Sequence, residues 1–190
     1  LLAMGEGLEL PEEALQPGSP ERSVFMDIYA AQARFHMRRF GTTQRQIAAV
    51  AAKNHWHSQW NPMAQYRKPM TVEEVLADKL IVWPITRAMC APMSDGACAL
   101  LLASEEGLKR FDRQRAVRVR GIGVSSGSRR GPDEVDKHLT RVAAWRAYEM
   151  AGVSPQDVSL AELHDASAIA ELLHMENCGF CDYGDAGALV

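Results

Sequence analysis

The pair His164-Asp165, preceded by the apolar run 158–163 and followed by a helix-forming stretch from Ser167, carries the clearest chemical signal in the sequence. A histidine at a strand-to-helix turn meets the positive end of a helix dipole, which disfavours a further positive charge and favours a neutral imidazole. Such a ring can donate a hydrogen bond to a carbonyl oxygen or move a proton. The competing reading is a structural histidine bonded to backbone. Asp165 either orients the ring or caps the helix.

A nucleophile is harder to find. Cys90 and Cys98 lie in or beside apolar segments, where a thiol is usually inert packing with a raised pKa. Ser94 and Ser104 have no base visible in the sequence. Cys178-Gly179-Phe180-Cys181 has the spacing of a zinc or redox pair, but His174 supplies at most one further ligand. A redox pair also normally opens a helix, whereas this one follows the helix from Ser167 to Met175. It reads as two reduced cysteines in a turn. His55 and His57, one residue apart, lack a third ligand nearby and read as part of a polar, aromatic loop over 55–62. No metal site is expected. Gly121-Ile122-Gly123 matches a dinucleotide glycine loop only in part. The Gly/Ser/Arg stretch 125–132 is either an anion-binding loop or a plain surface excursion.

The elements that position these groups follow from periodicity. A helix begins near Ser23 with Phe25, Ile28, Tyr29, Ala33 and Phe35 on one face, leaves Arg34, Arg38 and Arg39 exposed, and ends at Gly41. Thr42-Thr43 caps a second helix whose stripe Ile47, Val50, Ala51 runs to about Asn54. Thr71-Val72-Glu73-Glu74 forms a capping box before a short helix, and an extended segment at 80–84 stops at proline. Residues 94–104 read as a strand buried on both faces, 105–111 as a short helix and 116–124 as an alternating strand. An amphipathic helix over 136–151 closes on Gly152, and 158–163 form another strand. Strand, helix and strand in this order predict a right-handed crossover, with His164 at the carboxyl end of its strand.

The bulk numbers narrow the class. A chain of 190 residues with 47% hydrophobic and 24% charged residues can bury a core, and a net charge of -3 gives no electrostatic reason to expect nucleic acid. No apolar run approaches the roughly 20 residues of a membrane span, and residues 1–6 lack the pattern of a signal peptide. A cytoplasmic protein without a membrane partner is expected, with its four cysteines reduced. Residues 1–23 form a loop-rich entry, and both ends read as cut.

Taken in order, these segments resemble the sterol-carrier-protein-type thiolases and their bacterial lipid-transfer-protein relatives. The resemblance rests on 53–58 with Asn61-Pro62, on Ser94-Asp95-Gly96-Ala97, on Arg118 to Gly121, on Glu162-Leu163-His164-Asp165, and on 176–181. It implies an α/β, thiolase-like layered α/β/α/β/α fold of which only part is present. That part comprises a helical loop domain at 24–80, the end of the first thiolase half at 81–112 and an incomplete second half at 113–190. It implies an acyltransferase of lipid metabolism, of the 3-ketoacyl-CoA thiolase or acetyl-CoA acetyltransferase type. Coenzyme A thioester is then a substrate rather than a bound cofactor.

By that similarity His164 belongs to an oxyanion hole with Asp165 beside it, and Ala166 and Ser167 lie along the pantetheine tunnel. Ala91 stands where classical members carry a serine near the CoA chain. Ser167 departs from a frequently aromatic position. The family's nucleophilic cysteine falls upstream of this chain, and its Gly-His-Pro histidine and second cysteine fall downstream, so these 190 residues alone are expected to be inactive. The resemblance further implies a homodimer or homotetramer, possible pairing with a small OB-fold protein, and a peroxisomal matrix location in a eukaryote. Two alternatives stand beside it: a thiolase-fold aldolase of steroid side-chain CoA esters, whose branch places tyrosine at the His164 position, and a non-catalytic acyl-CoA-binding protein.

Overall fold

The computed structural model describes residues 10–20 and 22–190, with Glu13 described by its backbone alone, so the expected entry loop lies partly outside the described residues. Helix α1, Val24–Phe40, begins after Ser23 and ends where Gly41 turns left-handed at φ 76°, as the sequence predicts. Its buried face carries Ala30, Ala33, Phe35 and His36, while Phe25 is exposed. Arg34 is half-buried rather than exposed: its Nη1 donates to the carbonyl of Trp83 at 2.7 Å, tying α1 to the hairpin described below.

Helix α2, Gln44–Ser58, opens with a reciprocal box in which Thr43 Oγ1 accepts from Gln46 N–H and Gln46 Oε1 accepts from Thr43 N–H. It runs a full turn past Asn54, so His55, Trp56 and His57 are helical and not part of the expected loop. The Thr71/Glu74 box caps α3, Val72–Ala77, in the same manner. The extended segment then becomes β1, Leu80–Val82, pairing antiparallel with β2, Ile85–Thr86, around the Trp83–Pro84 turn. Ala30 and Ala33 of α1, Ile47 and Val50 of α2, Val75, Ile85, Met89, and Ile169 and Leu172 of α6, Ala168–Asn177, form one core. Each large aliphatic side chain so enclosed contributes about 1.5–3 kcal/mol.

The other expected strands do not form ladders. Among the described residues the only sheet is β1–β2, and apart from it one isolated bridge pairs Cys90 with Ser167. Residues 94–104 are open coil up to a short α4, Glu105–Leu108, and Leu100 is 84% exposed, so a strand covered on both faces is not found there. Residues 116–124 and 158–163 are likewise unpaired, with Val117 at 91% and Leu160 at 79% exposure. The physical reason is that a strand obtains its hydrogen bonds and its apolar cover from neighbouring strands, which the described residues do not supply.

What survives of the crossover is its helix. A 3₁₀ turn, Val135–Lys137, precedes α5, Leu139–Ala151, so the helix starts three residues later than predicted, and Gly152 closes it at φ 64°. The extended segment 118–124 lies along α5, with Arg120 Nη2 donating to Ala151 O and Arg146 Nη1 donating to Val124 O. Gly121 and Gly123 permit that approach, since a Cβ on Gly121 would sit 2.5 Å from Ala147 O and one on Gly123 would overlap Ala143 O. No residue of α5 is fully buried.

Candidate functional site

The cleft is made where the C-terminal half of α2 meets the chain leaving the hairpin and the approach to α6. Ala91 N–H donates to Ala166 O at 3.1 Å, and Cys90 bridges to Ser167, so two segments more than seventy residues apart form one wall. The cavity against this wall has a volume of about 250 Å3 and is lined by Asn54, Tyr66, Met89, Cys90, Ala91 and Asp165, among others.

Its polar end is a compact network. Asn54 Nδ2 donates to Asp165 Oδ2 and to Glu171 Oε2, both at 2.9 Å, and Lys53 Nζ forms an ion pair with the second oxygen of Glu171. Burial pushes the Asp165 carboxyl up from the ordinary 3.8 and Glu171 adds to this, while its own backbone, His164 and Lys53 act in the opposite direction. A carboxyl so placed holds its proton more readily than a free one. Cys90 is the opposite case. Its thiol is pushed up to about 11 by burial, with Asp78 adding to this, so it stays protonated and is not a nucleophile.

The predicted site residues therefore divide. Ala91 and Asp165 line the cavity. Ala166 and Ser167 build its wall through backbone pairing, and the Ser167 side chain is fully buried, with no hydrogen-bond partner for its Oγ among the described residues. His164 is exposed and lies four residues before the first residue of α6, not in its first turn. The helix-dipole argument for a neutral His164 thus loses its geometric basis, because the dipole's influence is confined to the terminal turn. Asp165 is not the cap either: Ser167 occupies that position, and Asp165 turns to Asn54.

Sequence reasoning passed over Asn54, Lys53 and Glu171 as site residues. The signal was present, because Asn54 continues the buried stripe Ile47, Val50, Ala51 by one more turn, and a polar residue on an apolar face needs a partner. The same holds for a second buried pair, His36 and Glu176, each 1% exposed. His36 Nε2 contacts Glu176 Oε2 and its Nδ1 contacts Thr42 Oγ1, both at 2.8 Å. The cysteines are unbridged, and burial raises the thiol pKa of both Cys178 and Cys181, the latter to about 11. No helix among the described residues is long and apolar enough to cross a membrane.

The fold is thiolase-like. Residues 126–190 match the family described as thiolase C-terminal domain-like, and the chain is a relative of the thiolase superfamily of sterol-carrier-protein type. It is 36% identical to benzoylsuccinyl-CoA thiolase subunit BbsB of Thauera aromatica over 86% of this chain and 43% of that protein. It is 34% identical to sterol carrier protein 2 of Oryctolagus cuniculus over 91% of this chain and 33% of that protein. It is also 34% identical to an acetyl-CoA acetyltransferase of Methanothermobacter thermautotrophicus over 86% of this chain and 43% of that protein. Among solved structures an Ltp2-ChsH2(DUF35) aldolase superposes with a TM-score of 0.74 at 24% identity, over 90% of this chain and 51% of that one, which shows the shared fold. The chain spans less than half the length of these curated relatives.

Proposed function

We propose that these residues are part of an acyltransferase of the thiolase type acting on acyl-CoA thioesters, and that the cleft beside Asp165 receives the thioester end of the substrate. The pairing of Ala91 N–H with Ala166 O carries this reading, because it joins the segment resembling the end of one thiolase half to the His164-Asp165 segment of the other. In this reading His164, exposed and adjacent to Asp165 in the chain, is the hydrogen-bond donor to a thioester oxygen. Asp165, its carboxyl pKa raised and its position fixed by Asn54, is the neighbouring proton-holding group. Neither Cys90, held protonated by burial, nor Cys98, which does not line the cavity, is the acyl-accepting thiol in this reading.

The test is thiolytic cleavage of acetoacetyl-CoA by the full-length protein. His164→Ala is expected to lower kcat by about 10²–10³, the usual loss for removing one oxyanion-hole donor. Unchanged kcat removes His164 from the mechanism. Release of an aldehyde from a 3-hydroxyacyl-CoA without consumption of free CoA assigns the protein to aldolase chemistry instead. Tight acyl-CoA binding without any turnover supports the non-catalytic alternative.

A further inference from the structure

Helix α6 borders a second cavity at its other end. Leu173, Glu176 and Asn177 of α6, together with residues of α1 and of the segment 130–138, line an open space of about 400 Å3. That size falls in the range of small-molecule sites. Phe35, Phe40, Val135 and Leu173 give it apolar walls. The acidic group on its wall is already engaged: Glu176 Oε2 meets His36, and Oε1 accepts from the N–H groups of Gly184 and Ala186. Asn177 and Tyr183 satisfy each other through a 3.0 Å hydrogen bond.

Two donors on the loop remain. Arg130 is half-buried, and its one hydrogen bond among the described residues is a long 3.3 Å contact from Nη1 to the adjacent carbonyl of Gly131. The nearby carboxylate of Glu134 feels its charge but is held by Lys137 and by Gly131 N–H. His138 Nδ1 accepts from Thr140 N–H, which places the proton of the neutral ring on Nε2. Burial, with Arg130 and His174 adding to it, keeps that ring neutral at pH 7. A cationic fork and a neutral N–H donor on one wall, facing aromatic and aliphatic walls, match an anion with an apolar body.

We propose that this cavity binds a small monocarboxylate with an apolar body, the carboxylate on Arg130 and His138 and the apolar part against Phe35 and Phe40. The site stands at the opposite end of α6 from the Asp165 cleft and does not depend on thioester chemistry. It also gives the Gly/Ser/Arg stretch 125–132 the anion-binding role rather than that of a plain surface excursion.

The test is calorimetric titration of the full-length protein at pH 7 with octanoate and, in parallel, with octan-1-ol. Octanoate is expected to bind at least about tenfold more tightly than the alcohol, because a charge-assisted pair is present for one and absent for the other. Arg130→Gln should weaken octanoate by about tenfold or more and leave the alcohol unchanged. Val135→Trp, which fills the cavity from an exposed loop, should abolish both. Equal affinity for acid and alcohol, unchanged octanoate affinity in Arg130→Gln, octanoate binding that survives Val135→Trp, or no octanoate binding at millimolar concentration each overturns the proposal.

Discussion

Ile169 and Leu101 are both aliphatic residues in short apolar runs, yet Ile169 is fully buried and Leu101 is 75% exposed. The difference lies in what each element needs to be complete. Helix α6 satisfies its backbone internally and requires only an apolar surface, which α1, α2 and β2 provide. Residues 98–103 need hydrogen-bonding neighbours on two edges as well as cover on two faces. Among the described residues the α1, α2 and α6 core is therefore covered by its own neighbours, and residues 98–103 are not.

The largest expected effect sets these regions directly against each other. Leu172→Ala should cost about 2–5 kcal/mol in urea unfolding of residues 1–190, because a cavity opens in the core. Leu101→Ala should stay within about 0.5 kcal/mol. Equal costs would erase the contrast. In the full-length protein, where the layers of a thiolase-like fold supply neighbours, Leu101→Ala is expected to rise to about 2 kcal/mol or more.

Next in size is Gly123→Ala, expected to destabilise α5 by about 1–3 kcal/mol through overpacking against Ala143. Gly127→Ala is its control, since a Cβ there meets nothing within 4 Å. Amide hydrogen exchange of 139–151 separates the two. Thr71→Ala removes a helix cap and should cost about 1 kcal/mol by thermal unfolding.

The smallest effect is a pH dependence. His138 titrates near 4 in the folded chain against 6.5 ordinarily, so between these values the unfolded state binds more protons. Stability is thus fully present above about 6.5 and declines as pH falls toward about 4. Its size is limited by the partial solvation of the ring. His138→Asn, which retains a capping acceptor for Thr140, should flatten that slope in urea midpoints taken across the window.

These contrasts also explain what could be read from the residues alone. Gly41, Gly152, Thr43 and Thr71 act on their nearest neighbours, and each terminates or caps a helix where the sequence places it. The strands at 94–104, 116–124 and 158–163 are non-local objects, and their alternation says what they prefer without supplying a partner. His55-Trp56-His57 reads as a loop by polarity, yet α2 continues through it because no residue there breaks the ladder. In the cleft, Ala91 and Asp165 line one cavity, a convergence that their separation in the chain hides. Asn54 and the His36–Glu176 pair were legible only as polar interruptions of apolar stripes.

The links that define the cleft and its surroundings also set an order of assembly. Asn54 and Asp165 are 111 residues apart in the chain, and His36 and Glu176 are 140 apart. Closing loops of that length costs about 4 kcal/mol of chain entropy before any contact repays it. The capped helices and the β1–β2 hairpin can form within their own neighbourhoods, whereas α6 docks only after the long excursion between Cys90 and Ser167 has been drawn in. The Asp165 cleft is therefore expected to form late in folding. Substitutions in α6 that act after the rate-limiting step should speed unfolding and leave the folding rate nearly unchanged.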